Sequence, residues 1–186
     1  AEALPKQPKV KNHRKAMHYS EVSDCIAAVQ NSKAGNSTKL ALELLILTAL
    51  RSGEIRNACW EEFELECNPS LPFPIWRIPA QRMKAKREHI VPLSNRALAI
   101  LQAAKTLSDG TGLVFPGTRP GKTLSDMTLS KLVKELGYDA DVHGFRTSFK
   151  TWAQEQTDFE NEVSEMALAH TISNKAEAAY ARSNYL

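Results

Sequence analysis

Apolar residues recur along most of this chain at the three-to-four-residue spacing of a buried helix face, and one short stretch alternates in twos. Val22, Ile26 and Val29 form the first such face, with Ser20 as the predicted N-cap. After a break at Gly35-Asn36, residues 37–49 predict a helix that is apolar on most sides through Leu40, Ala41, Leu44, Leu45 and Leu47. That pattern belongs to an element central to a core. Gly53 predicts a turn into a short helix ending near Cys59. Residues 75–78 and 89–93 alternate as strands on either side of a basic turn and predict a small hairpin. Helices are expected again over 94–105, 125–136, 143–156, 160–170 and 174–181, with Gly137 as the left-handed residue closing the second of these. The expected fold is mainly α with a small antiparallel β-sheet, an α+β class.

Residues 1–18 break this patterning, since they mix Pro5, Pro8 and basic residues without periodicity. They read as a flexible basic linker, with the folded domain over 19–186. A chain of 186 residues has room for one sizeable core. Its longest apolar stretch, 40–50, is interrupted by Glu43 and Thr48, and its N-terminus lacks the apolar run of a secretory signal. No membrane association and a cytoplasmic location are the expectations. Cys25, Cys59 and Cys67 are odd in number and form no CxxC pair, which argues against a disulfide framework and against a zinc site.

Charge changes the picture only locally. Five of the cations (Lys6, Lys9, Lys11, Arg14, Lys15) stand in the first 19 residues against Glu2 alone, a balance of +4 within the chain's +3. The remainder therefore carries about −1. Any nucleic-acid footprint must come from clustering, and the clearest cluster is the turn with Arg82, Lys84, Lys86 and Arg87.

Four segments offer chemistry: Arg51 with Glu54, the basic turn, His143 with Arg146, and His170 followed by Tyr180. Singly they have plain structural readings, such as an arginine neutralising a helix C-terminus or a histidine satisfied by a carbonyl. In this order, the phrases LTALRSGEIRNACW, MKAKREHIVPL, VHGFRTSFKTWA and ALAHTISNKAEAAYAR resemble the phage-integrase family of tyrosine recombinases, in particular integrases of temperate phages and genomic islands. The four phrases run through nearly the whole chain beyond residue 45.

The resemblance implies a catalytic domain that cuts and rejoins DNA through a covalent 3′-phosphotyrosine intermediate. Tyr180 takes the nucleophile's place, with Tyr185 outside the family spacing. Arg51 and Arg146 would clamp the non-bridging phosphate oxygens, a task suited to a planar, permanently charged fork. His143 would assist proton removal or bond the phosphate, and His170 would be a further phosphate donor. The residue before that histidine is usually glycine in the family, whereas this chain has Ala169. Lys84, with Lys86 as its rival in the same turn, would protonate the leaving oxygen, and Glu54 would orient the arginines or histidine. Arg82, Lys86 and Arg87 are expected to contact DNA. No cofactor or metal is implied, because the phosphotyrosine ester conserves the bond and cationic side chains do the charge work.

The implied partners are double-stranded attachment-site DNA and, for a full-length protein, further copies in a tetrameric synapse. Upstream DNA-binding modules are expected outside this chain. A non-catalytic DNA-binding relative and a type IB topoisomerase remain alternatives.

Overall fold

A computed structural model describes residues 15–66 and 72–170. The buried helix of the sequence pattern is α2 (Asn36–Thr48), whose residues Ala41 through Ile46 are all buried. It packs against α1 (Val22–Asn31), α3 (Ser52–Arg56), α4 (Asn95–Ala104) and α5 (Thr128–Glu135). The polar interruption at Glu43 is itself buried and paired, with Arg96 Nε of α4 donating at 2.6 Å and Gln30 Nε2 of α1 at 3.1 Å. A carboxylate on an otherwise apolar stretch of helix thus becomes a tie between three helices, satisfied as burial requires.

The sheet has three antiparallel strands in the order β1 (Phe63–Glu64), β2 (Ile75–Ile78), β3 (His89–Pro92). The hairpin β2–β3 is the one the alternation predicts, with Trp76 opposite Val91 and Ile78 opposite His89. Strand β1 was not expected, because two residues carry no period. It is held by Phe63, whose ring stacks on Trp76 at a centroid distance of 4.8 Å.

Two helices close the described fold, α6 (Gly144–Gln156) and α7 (Asn161–Ala167). The expected helices appear close to their predicted limits, and Gly137 follows α5 at φ 85°. The helix expected over 174–181 lies outside the described residues. Among the described residues, no helix is long and apolar enough to cross a membrane.

One boundary is corrected. Ser20 is not the N-cap of α1: a single 3-10 turn, Tyr19–Glu21, precedes the helix, and the His18 ring accepts from the Ser20 N–H. Residues 15–18, within the stretch expected as linker, pack onto the body. Met17 is buried, its carbonyl accepts from Ser148 Oγ of α6, and the Lys15 carbonyl accepts from the Asp141 N–H at 2.9 Å. A Cβ on Gly144 would sit 2.2 Å from the Lys15 oxygen, so only glycine lets this strap cross the start of α6. The strap is basic in sequence, but hydrogen bonds and one apolar anchor decide its placement.

Candidate functional site

Two helices end in the same way and meet at one arginine. Helix α2 closes on Ala49 at φ 49°, and α7 closes through Leu168 onto Ala169, also at φ 49°. A carbonyl at each of these turns is taken by a side-chain donor. Arg146 of α6 reads both, its Nη1 donating to the Ala49 carbonyl and its Nη2 to the Leu168 carbonyl. The chain leaving each turn then brings in a candidate site residue: Arg51 two residues after Ala49, and His170 immediately after Ala169. An alanine in this region is disfavoured by about 1 kcal/mol, which gives the glycine usual before such a histidine a physical reason.

Arg146 is 3% exposed, and burial first, then the neighbouring Arg51, pushes its pKa down to about 10 against the pull of Glu54 and Glu165. It remains a cation at neutral pH, held by two carbonyls and close to a second arginine. Such an arrangement is costly in the absence of an anion. Glu54, also buried, offsets part of that cost, accepting from the Arg51 N–H at 2.7 Å and from Arg51 Nη1 at 2.9 Å. Glu54 thus caps α3 and fixes the Arg51 side chain with one carboxylate.

His170 lies between Arg146 Nη2, at 3.1 Å from its Nε2, and Glu165 Oε2, at 2.6 Å from its Nδ1. Lys150 of α6 also donates to Glu165. Burial alone raises the Glu165 pKa, but the hydrogen bonds from Lys150 and His170 more than offset this and hold the carboxyl below its ordinary value. Glu165 escaped the sequence reading. Its position five residues before His170, within the helix expected over 160–170, was the available signal.

Arg51, Lys84, Ala85, Glu165, Ala169 and His170 line one open cleft of about 400 Å³. Sequence segments more than 100 residues apart are thereby brought together around a space rich in N–H donors. His143 is exposed at the position preceding α6, one turn before Arg146. Tyr180 and Tyr185, like Cys67, lie outside the described residues. Among the described residues, no group of three or more His, Cys, Asp or Glu side chains is arranged to hold a metal ion.

The basic turn is not uniformly outward. Met83 is buried beneath it, and Arg82 turns inward, donating to Glu62 and to the Glu54 carbonyl. Glu62 in turn accepts from Trp76 Nε1 at 2.9 Å. Arg82, expected to contact DNA, has its guanidinium bonded to Glu62 and the Glu54 carbonyl, while Lys84, Lys86 and Arg87 are exposed. Arg82→Ala should therefore destabilise the fold by about 3 kcal/mol, the scale of stripping the partner from a buried carboxylate. Urea unfolding checks this, and a change below about 1 kcal/mol would return Arg82 to the solvated surface.

Residues 15–186 match the phage integrase family. The chain is 33% identical over 188 residues to the integrase of Enterobacteria phage P4, covering 89% of this chain and 42% of that protein. It is 32% identical over 179 residues to the prophage integrase IntA of Escherichia coli (strain K12), covering 95% and 42%. Among solved structures, XerH site-specific recombinase bound to difH substrate superposes with a TM-score of 0.68 at 16% identity, over 92% of this chain and 54% of that one. The lambda integrase catalytic core does so with a TM-score of 0.60 at 17% identity, over 87% and 95%. The chain belongs to the phage integrase family, and its fold is that of tyrosine recombinase catalytic domains. It spans about two fifths of the length of the curated relatives it matches.

Proposed function

We propose that this chain is the catalytic domain of a site-specific DNA recombinase that cuts and rejoins strands through Tyr180. The observation that carries the reading is the convergence of Arg51, Lys84 and His170 on one open cleft, with Arg146 against His170 beneath them. A phosphodiester oxygen pair fits two guanidinium forks, and fixed cations stabilise the charge that develops as phosphorus becomes five-coordinate. Glu165 accepts from the His170 Nδ1–H, and the doubly protonated ring donates from Nε2 to the phosphate, to which Arg146 Nη2 turns as well. In this reading Lys84, exposed on the turn, gives a proton to the departing 5′ oxygen, and His143 takes one from Tyr180. Glu54 orients Arg51.

The substrate of this reading is duplex attachment-site DNA in the bacterial cytoplasm, with copies of the whole protein assembling as a tetrameric synapse. The XerH and lambda integrase structures, the latter as a tetramer on a Holliday junction, support that partner class by similarity. The test is covalent trapping on a pool of nicked duplexes randomised around the nick, where cleavage strands the protein on the 3′ end. A protein–DNA adduct surviving denaturation is expected. DNA binding without an adduct would leave a non-catalytic relative, and relaxation of a supercoiled plasmid would favour the topoisomerase alternative.

Binding should depend steeply on salt. Lys86→Ala with Arg87→Ala is expected to reduce the slope of log affinity against log salt by about 2, since each phosphate contact contributes about 0.9. Removing Arg82 should leave that slope alone. An unchanged slope in the Lys86/Arg87 variant would take the turn off the DNA.

A further inference from the structure

One imidazole at this site has no role in the chemistry described above. His89 opens β3 opposite Ile78, and partners across an antiparallel pair project to the same face. The other residues of that face, Trp76, Ile78 and Val91, are buried and apolar. Alternation alone calls for an aliphatic residue at position 89, yet the ring is there, with its Nε2 buried and without a hydrogen-bond partner. A backbone hydrogen bond to the Ala167 carbonyl, at the end of α7, raises the ring's pKa, and since Nε2 has no partner the bond falls to the other nitrogen. A carbonyl only accepts, so that nitrogen carries the proton and Nε2 is left with its lone pair.

A second buried atom lacks a partner: Arg146 Nε, whose N–H can only donate. An orphaned acceptor and an orphaned donor therefore lie in one region, since His89 senses the charge of Arg146 as well as that of Arg51 and Glu54. Buried polar groups left open in this way are rare and costly.

We propose that His89 is a positioning residue for Arg146: its Nε2 lone pair takes the Arg146 Nε–H, directly or across one buried water, while its opposite nitrogen holds the end of α7. The hairpin, α6 and α7 are then locked together through one ring, and the orientation of the guanidinium plane becomes a property of β3. A charged imidazole would lose the lone pair and set a third cation beside two arginines. The environment guards against that: burial first lowers the His89 pKa, Glu54 and the Ala167 carbonyl oppose the shift, and Arg146 and Arg51 add to it. The charged groups the ring senses are thus Glu54 of α3, Arg51 at the start of that helix and Arg146 of α6, with α7 contributing backbone.

This inference rests on the recombinase reading only for its kinetic arm, so two measurements are paired. Long-range ¹⁵N–¹H NMR on the histidine-labelled chain, with His89→Gln to assign the signal, should show a neutral Nδ1–H ring at pH 7 that titrates below the ordinary histidine range. A charged ring or the Nε2–H tautomer at pH 7 overturns the proposal whatever the enzyme does. In covalent trapping on the nicked-duplex pool, His89→Leu suits the apolar face and should slow adduct formation about 10-fold or more, as losing an orienting partner does. Half-saturation by DNA should stay within about twofold, because the phosphate-facing groups remain. His89→Gln keeps an acceptor and should recover most of the rate. His89→Leu trapping DNA as fast as wild type overturns the proposal while leaving the recombinase reading intact. If wild type forms no adduct, the recombinase reading fails and the NMR result alone decides the role of His89.

Discussion

Arg51→Lys and Arg146→Lys should each slow covalent trapping by about 100-fold or more, the scale of losing a preorganised donor to developing charge. Lysine keeps the charge but presents a single nitrogen where the fork offers two parallel N–H groups. The two variants should nevertheless differ in stability. Arg146 is buried and its two terminal nitrogens reach carbonyls on different helices, Ala49 and Leu168, so one ammonium cannot serve both. Arg146→Lys should lower the unfolding midpoint as well as the rate. Arg51 is about a quarter exposed, and Glu54 caps the Arg51 backbone N–H regardless of the side chain. Arg51→Lys should therefore lose rate with little loss of stability. Near wild-type trapping by Arg51→Lys would reduce that arginine to a helix-start ion pair.

Tyr180→Phe should bind the nicked-duplex pool as wild type does and yield no adduct at all. Removing one hydroxyl deletes the nucleophile while the arginines, His170 and the basic turn keep their phosphate contacts. Tyr185→Phe should trap DNA normally. The reverse pattern, an adduct in Tyr180→Phe and none in Tyr185→Phe, would move the nucleophile five residues on.

The helical part of the fold was legible because most helices bury a face, and burial imposes a period. The hairpin was legible for the same reason in twos. Strand β1 was not, since Phe63 and Glu64 are strand by virtue of Trp76 beside them and of nothing in their own sequence. Residues 15–18 looked like linker because composition reports solvent preference, whereas their placement depends on a glycine 129 positions away that leaves room for them. At the site, the residue types and their order pointed to Arg51, Lys84, Arg146 and His170. The direction of a side chain within a charged turn was illegible: Arg82 and Lys84 are both basic, yet one serves Glu62 inside and the other lines the cleft. Glu165 and His89 were missed for a related reason. Each acts through a partner that is adjacent only after folding.

The most direct test of the account is to locate the bond. Wild-type protein trapped on the nicked-duplex pool would be digested, and the nucleotide-bearing peptide identified by mass spectrometry. The 3′-phosphate should be esterified to Tyr180, in the peptide that follows Lys175. An adduct on Tyr185 or on any serine or histidine, or DNA cleaved with no nucleotide left on the protein, would contradict it.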